Sequence, residues 1–116
     1  MKIAVIGCGY WGPNLVRNFL QSQKVDQLIC CDLDPKRLEH MKRLYPSIQT
    51  TTNHEELLRM ADLDAVAIAT PVRTHYPLAK DFLSRGVHVF VEKPFTDSAD
   101  RALELVKLAE EKKKIL

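Results

Sequence analysis

The feature that most constrains the fold is a regular alternation of two hydrophobic patterns along all 116 residues. Short apolar runs rich in β-branched residues predict buried strands, whereas apolar residues spaced three or four apart predict helices. Strands are predicted at residues 2–7, 27–32, 47–51, 64–70 and 87–93, and helices at residues 11–23, 34–45, 53–60, 73–86 and 96–114. Residues 114–116 look like the start of a further strand. Because such alternation produces a parallel sheet with right-handed crossovers, we expect a doubly wound α/β sheet of about five to six strands.

Local signals predict where several of these helices begin and end. Asp34 stands immediately before a proline and is placed to cap the second helix. Asn53 and Glu56 have the spacing of a capping box at the start of the third helix. Pro77 falls early in the fourth helix, where it fits the first turn or bends the helix, and Gly86 ends that helix.

Composition excludes several classes of function. The formal net charge is only +2, so neither nucleic acid nor an anionic membrane surface is expected as a partner. No run approaches the roughly 18 to 20 apolar residues of a membrane span. Cys8, Cys30 and Cys31 lie in apolar or glycine-rich segments without the spacing of a metal site, and we expect buried, reduced thiols and no metal. A cytoplasmic location is the expectation that follows.

The first strand runs directly into a loop with glycines at Gly7, Gly9 and Gly12, and a helix follows. In a loop that binds a dinucleotide, the first glycine makes the tight turn and the second lets the backbone approach the pyrophosphate. The third lets helix and strand pack closely, and the helix N-terminus offers free amides to the phosphates. The pattern therefore predicts a Rossmann-type dinucleotide-binding domain over residues 1–116. The alternative is a tight βα turn without a ligand.

An acidic residue at the end of the second strand agrees with this prediction. Asp32 lies about 20 residues beyond the loop, where a carboxylate binds the hydroxyls of the adenosine ribose. Its charge repels a 2′-phosphate, so NAD is expected rather than NADP. Asp34 is a rival, although its role as a helix cap is sufficient. Lys36 and Arg37 leave NADP open, because a nearby arginine can accommodate the 2′-phosphate.

Further candidates lie in the loop and after the fourth strand. Tyr10 and Trp11 either shield the pyrophosphate or pack against neighbouring loops. Thr70 and Pro71 end the fourth strand, at the edge of the sheet where ligands bind in this class of fold. His75 follows in the next helix and is either a functional group or a capping or surface residue.

The fifth strand ends in Glu92 and Lys93, followed by Pro94, which favours an extended Lys93. A lysine at the rim of a nicotinamide pocket exchanges a proton with a substrate when its surroundings lower the pKa of its amine. A strand-end ion pair without chemistry is the alternative, and spacing alone does not decide between them.

Together, the segments GCGYWGPN, CDLDP and ATPVRTHYPLAKDFLSRGVHVFVEKP resemble the glucose–fructose oxidoreductase / inositol dehydrogenase / MocA family over essentially the whole chain. The resemblance implies a catalytic Lys93 that contacts nicotinamide and the reacting hydroxyl, and a Glu92 that contacts the nicotinamide ribose. It implies that Thr70, Pro71 and His75 line the cofactor site. Many members carry asparagine where this chain has Val72, so the contacts of that amide do not carry over.

The resemblance also implies what these residues lack. Family members carry a C-terminal α/β domain that binds the sugar or polyol substrate, so this chain is expected to be a Rossmann domain truncated at its C-terminal end. The full-length protein is expected to be an NAD(P)-dependent oxidoreductase of sugars, nucleotide sugars or polyols and a homo-oligomer. The isolated chain is expected to bind NAD and turn over nothing. The alternatives are a non-catalytic NAD(H) sensor and the Rossmann domain of a non-sugar dehydrogenase or reductase.

Overall fold

The computed structural model describes residues 1–116 and contains one five-stranded parallel sheet. Its strands are β1 (Lys2–Ile6), β2 (Gln27–Cys31), β3 (Gln49–Thr51), β4 (Ala65–Ile68) and β5 (His88–Val91). Its helices are α1 (Gly12–Gln21), α2 (Pro35–Leu44), α3 (His54–Leu58), α4 (His75–Ser84) and α5 (Ala99–Lys112), with a 3₁₀ turn, Val72–Thr74, before α4. The doubly wound α/β prediction is confirmed. None of these helices combines the length and hydropathy that a membrane crossing requires.

The sheet separates two apolar cores, because successive residues of a strand point to opposite faces. In β1, Ile3 and Val5 pack on the face covered by α1 and α2, and Ala4 and Ile6 pack on the face covered by α3, α4 and α5. Phe82 of α4 is the largest fully buried side chain of the second face. Strands buried on both sides explain why the sequence shows continuous apolar runs rather than alternation.

The strand order β3-β2-β1-β4-β5 determines where a ligand binds. The chain moves outward from β1 through β2 to β3, then returns to the other side of β1 with β4. Loops that leave β1 and β4 therefore turn in opposite directions and leave a crevice between them. Ligands of open α/β sheets bind in this crevice, outside the carboxyl ends of the strands.

Most of the predicted helix ends are confirmed. The Asp34 carboxylate accepts a hydrogen bond of 2.9 Å from the Lys36 amide and caps α2. Pro77 lies in the first turn of α4. Gly86 follows that helix with a φ of +80°, a conformation that glycine adopts without steric cost.

The capping box at α3 is only half present. Asn53 caps the helix by accepting from the Glu55 amide at 3.0 Å. The Asn53 amide, which a capping box gives to Glu56, instead donates to the Thr51 hydroxyl at 3.1 Å. That hydroxyl in turn donates to the Glu56 carboxylate at 2.7 Å, so the threonine at the end of β3 stands between the two partners.

The prediction of a further strand at residues 114–116 is wrong. Lys113 adopts a left-handed conformation, with φ at 54°, and turns the chain toward β5. The Ile115 amide donates to His88 Nδ1 at 2.9 Å, and its carbonyl accepts from the Val89 amide at 3.0 Å. These two hydrogen bonds hold the segment against the edge of β5 without forming a strand.

Candidate functional site: a dinucleotide crevice at the carboxyl edge of the sheet

Two of the three loop glycines are required by close backbone packing. Gly7 has a φ of +97°, and a Cβ at this position would lie 2.6 Å from the Ala69 carbonyl oxygen. A Cβ at Gly12 would lie 1.9 Å from the Gly7 carbonyl oxygen. No side chain fits at such distances, because the obstacle is backbone. The loop therefore brings β1, the start of α1 and the end of β4 closer together than any other residue type permits.

Gly9 differs, because it faces outward. A Cβ there would meet only the flexible end of Arg37, at 3.3 Å. Helix α1 has neither a side-chain cap nor an acidic residue in its first turn, and its N-cap is Trp11. The first amides of the helix thus lack a side-chain partner, and together with the positive end of the helix dipole they suit a phosphate. This cradle, which a side chain at Gly9 would fill, fits a pyrophosphate.

Asp32 follows β2 and is held in a fixed orientation beneath the glycine loop. One carboxylate oxygen accepts from the Cys8 amide at 2.7 Å, and the other accepts from the Asp34 amide at 2.8 Å. The residue is only 8% exposed. Each carboxylate oxygen retains capacity for a further donor, which the two hydroxyls of a ribose supply. The site therefore fits the adenosine ribose of NAD.

Arg37 lies across the outer side of the same carboxylate. One guanidinium nitrogen is 3.6 Å from an Asp32 oxygen, and another is 4.0 Å from Asp34. Its side chain remains about half exposed, so the ion pair contributes little to stability. The sequence identifies Arg37 only as a candidate to accommodate a 2′-phosphate and does not predict its position over Gly9 and beside Asp32.

The thiols beneath the loop stay uncharged. A hydrogen bond with Cys30, followed by burial, raises the pKa of the Cys8 thiol. Burial, followed by the charge of Asp32, raises the pKa of Cys31 to about 12. All three cysteines are buried and unpaired, as predicted. Cys8 therefore adds no negative charge to a loop that is suited to phosphates.

Tyr10 and Trp11 stand on the rim of the glycine loop. Their rings pack edge to face with centroids 5.1 Å apart, and they are 83% and 49% exposed. They contact each other and leave large apolar surfaces open to solvent. Both predicted roles, shielding of a pyrophosphate and packing against another segment, stay predictions.

On the other side of the crevice, Thr70 and Pro71 lead from β4 into the 3₁₀ turn. The Thr74 hydroxyl lies 2.6 Å from the Thr70 hydroxyl and donates to the Pro71 carbonyl, also at 2.6 Å. The Glu92 amide donates to the Ile68 carbonyl at 2.9 Å and extends the pairing of β4 with β5. Lys93 follows it, exposed and without an ion pair; its peptide bond to Pro94 is cis.

His75 is buried rather than open to the crevice. The residue is 1% exposed, and its Nε2 lies 2.7 Å from the Thr70 carbonyl oxygen. Its Nδ1 lies 2.9 Å from the Pro94 carbonyl oxygen and 3.2 Å from that of Phe95. The ring thus contacts the backbone of two loops, and the expectation that it lines the cofactor site stays a prediction. No sequence pattern announced these partners, because they lie about 20 residues further along the chain.

Most of the predicted site residues thus lie at the carboxyl edge of the sheet. They fall on the two sides of the crevice between the loop after β1 and the loop after β4. One side, which we call the adenosine side after its predicted role, contains Gly7, Gly9, Gly12 and Asp32. The other, which we call the nicotinamide side after its predicted role, contains Thr70, Pro71, Glu92 and Lys93. A cleft of about 730 Å³ between α2 and β3, by contrast, includes none of these residues. A glycine loop after the first strand, a helix N-terminus and an acidic residue after the second strand of a doubly wound sheet define a dinucleotide-binding domain of the Rossmann class.

Comparison with known proteins agrees with this class and identifies one family within it. All residues, 1–116, match the family model described as oxidoreductase family, NAD-binding Rossmann fold. The chain belongs to this family, the Gfo/Idh/MocA oxidoreductases, and is an NAD-binding oxidoreductase domain. An uncharacterized oxidoreductase from Schizosaccharomyces pombe is 40% identical over 119 residues, covering 100% of this chain and 32% of the relative. A protein named glycosyl hydrolase family 109 protein 4, from Phocaeicola vulgatus, is 30% identical over 98% of this chain and 24% of its own length.

Solved structures are also similar. GenD2 from gentamicin A biosynthesis, crystallised with NAD, matches with a TM-score of 0.94 and 28% identity, over 100% of this chain and 33% of GenD2. The WlbA dehydrogenase from Chromobacterium violaceum, crystallised with NADH and UDP-GlcNAcA, matches with a TM-score of 0.87 and 27% identity. That match covers 98% of this chain and 33% of WlbA. The chain thus spans a quarter to a third of the proteins it matches, and NAD is the cofactor of the class.

Proposed function

We propose that the protein carrying this chain is an NAD-dependent dehydrogenase acting on a hydroxyl group of a sugar, nucleotide sugar or polyol. One observation carries the proposal: Lys93 presents an exposed amine without an ion pair at the end of β5, at the same edge of the sheet as the glycine loop. A module that only senses a nucleotide has no use for a free amine at this position.

The chain's residues divide the binding of the cofactor between them. The amides after Gly9 hold the pyrophosphate, and the Asp32 carboxylate holds the adenosine ribose. Thr70 and Pro71 line the crossing between the halves, and Glu92 contacts the nicotinamide ribose. The orientation of Asp32 by two backbone amides supports NAD over NADP, because a 2′-phosphate would meet a fixed negative charge.

Bound NAD supplies a hydride acceptor for the substrate carbon. Lys93, as the neutral amine, accepts the proton of the reacting hydroxyl at its Nζ atom and becomes an ammonium, which returns the proton in the reverse direction. Tyr10 and Trp11 cover the pyrophosphate and exclude water from it.

The substrate class rests on the relatives and on the chain's own motifs. The WlbA structure contains UDP-GlcNAcA, and GenD2 belongs to the biosynthesis of gentamicin A. We propose that residues outside this chain bind the substrate, that the full-length protein is a homo-oligomer, and that it acts in the cytoplasm. The 116 residues alone then bind NAD weakly and oxidise nothing.

The test measures NADH absorbance with the full-length protein, NAD and a panel of free sugars, nucleotide sugars and polyols. We expect Lys93→Ala to lower turnover by about 100-fold or more while NADH binding is retained. Lys107→Ala, which removes another exposed lysine on α5, is the matched control and should leave turnover unchanged. Unaltered turnover in the Lys93 variant contradicts the proposal.

A second candidate, cleavage of a glycosidic bond, is favoured by the similarity to a family 109 glycosyl hydrolase. NAD-dependent glycosidases are known outside the two-carboxylate mechanism. Such an enzyme releases sugar without net formation of NADH, so assaying both products with aryl glycosides separates it from a dehydrogenase. Tight NADH binding with neither product indicates a sensor.

A further inference from the structure

Asp32 and His75 are the two buried polar residues of the protein. The proposed function uses Asp32 at the ribose and leaves His75 without a role. Its ring is too deeply buried to reach a substrate, and both of its nitrogens face backbone oxygens. His75 is therefore not a catalytic residue, and its role must act through the groups that it contacts.

Those groups belong to two separate loops. Nε2 contacts the Thr70 carbonyl in the loop after β4, and Nδ1 contacts the Pro94 and Phe95 carbonyls in the loop after β5. Beyond the bond from Glu92 to Ile68, no other hydrogen bond joins these loops. The imidazole ring is thus the polar link that fixes Lys93, one residue before Pro94, relative to Thr70.

We propose that His75 is a positioning residue that joins the two loops of the nicotinamide side and sets the distance between Lys93 and Thr70–Pro71. This inference rests on the proposed function, because that function places the nicotinamide between these loops. The adenosine side shares no hydrogen bond with the ring. Loss of the link therefore changes binding of the nicotinamide half alone.

Substitutions of His75 differ in how many loops they release. Carbonyl oxygens only accept, and a neutral imidazole carries a single N–H, so His75 bonds both loops at once as the imidazolium, with a proton on each ring nitrogen. Glutamine carries one amide nitrogen and serves one loop, whereas alanine serves neither. His75→Gln also keeps much of the buried volume, which preserves a folded protein if His75→Ala does not fold. His88→Ala is the matched control, since His88 contacts the Ile115 amide near the opposite end of β5.

The first measurement compares two ligands of the full-length protein by calorimetry: NADH, and ADP-ribose, which lacks nicotinamide. We expect His75→Ala to weaken NADH binding about tenfold, because both hydrogen-bonded links are lost. His75→Gln should have an intermediate effect, because one link is retained. ADP-ribose binding should change less than about twofold. If His75 has a purely structural role, His75→Ala weakens the binding of both ligands equally. That result, or unchanged binding of both ligands, overturns the proposal.

The second measurement separates this inference from the proposed function. Hydrogen exchange of the ligand-free protein is followed at residues 69–75 and 92–98. We expect His75→Gln to speed exchange in both segments together, and His88→Ala in neither. Faster exchange in only one segment, or in none, overturns the inference. If exchange behaves as expected while the unaltered protein fails to bind NADH, the proposed function fails and the link between the loops stands.

Discussion

The two sides of the crevice differ in how completely this chain builds them. On the adenosine side, Gly7 and Gly12 permit backbone contacts that no other residue allows, and Asp32 is fixed by two amides. On the nicotinamide side, Lys93 is exposed, and its loop is tied down by the buried ring of His75. The predicted cofactor-binding residues of the adenosine side lie within one βαβ unit, whereas those of the nicotinamide side come from segments distant in the sequence. We expect substitutions on the adenosine side to affect folding and binding most strongly.

The largest expected effect is that of Gly12→Ala. The added Cβ lies 1.9 Å from the Gly7 carbonyl oxygen, so the loop or α1 must move. We expect a loss of more than about 4 kcal/mol in the free energy of unfolding, or no folded protein at all, because the obstacle is rigid backbone. Urea unfolding followed by circular dichroism measures this loss.

Gly9→Ala is the matched control for the same loop. Its Cβ meets only the movable guanidinium of Arg37 at 3.3 Å, so stability should change by less than about 1 kcal/mol. NADH affinity should fall by at least about tenfold, because the methyl group occupies the phosphate cradle. Unchanged affinity would contradict the assignment of Gly9 to the pyrophosphate.

The contrast between the two sides also explains what the sequence predicts. The glycine loop, Asp32 and the strand–helix order depend on contacts that are local or follow a fixed topology, and the fold they predict is confirmed. The pairing of His75 with Pro94 and Phe95 depends on how two loops meet in space. No periodicity or spacing encodes that meeting.

Smaller errors have the same cause. Glu56 has the spacing of a capping box, yet the Thr51 hydroxyl takes the bond that the box requires. The position of Arg37 over Gly9 depends on the angle between α2 and the loop. Sequence motifs do not predict which of several nearby donors forms a hydrogen bond, or how packed helices and loops lie relative to one another.

The second largest effect is expected for Asp32→Ala. Removal of the carboxylate leaves the Cys8 and Asp34 amides without their acceptor. Leaving the buried Cys8 amide unpaired costs about 1–3 kcal/mol of stability, and NADH affinity should fall by more than about tenfold because the ribose contact is lost. Chemical unfolding and calorimetry measure the two losses separately.

Asp34→Ala provides the comparison that sharpens this result. Asp34 caps α2 and is about half exposed. Its loss should cost about 1 kcal/mol of stability and leave NADH affinity within about twofold of the original. Equal losses of NADH affinity in the two variants would show that Asp34, and not Asp32 alone, binds the ribose.

The thiols beneath the adenosine side give a smaller, pH-dependent effect. Burial and the charge of Asp32 raise the pKa of Cys31 from 9.0 to about 12. Between these values the unfolded chain releases a proton that the folded chain retains, so stability falls as the pH rises. Each such thiol lowers the free energy of unfolding by about 1.4 kcal/mol per pH unit.

Cys31→Ala tests this slope. Urea unfolding at several pH values above about 9 should give a slope shallower by about 1.4 kcal/mol per unit than that of the original protein. Below about pH 8 the two slopes should coincide, because the thiol is protonated in both states. Parallel slopes above pH 9 would show that Cys31 ionises in the folded protein, and that the region beneath the loop is accessible to water.

The smallest effect is expected for an exposed polar cluster that α4 and α5 share on their outer surface. The Glu104 carboxylate accepts from the Tyr76 hydroxyl at 2.6 Å and from Lys80 at 3.0 Å. These hydrogen bonds lower the pKa of Glu104 below 4.5, and Glu104 and Tyr76 raise that of Lys80 above 10.5. The cluster therefore stabilises the helix pair above the carboxylate's ordinary pKa and below the ammonium's, and loses this contribution in acid and in base.

Glu104→Gln should lower Tm only slightly, because exposed ion pairs contribute little and are screened by salt. The difference in Tm should shrink further at about 1 M salt, where the Debye length is about 3 Å. NADH affinity should not change, since the cluster lies on the outer surface of the two helices. A large loss of stability that persists in salt would mean that these hydrogen bonds contribute far more than an exposed ion pair does.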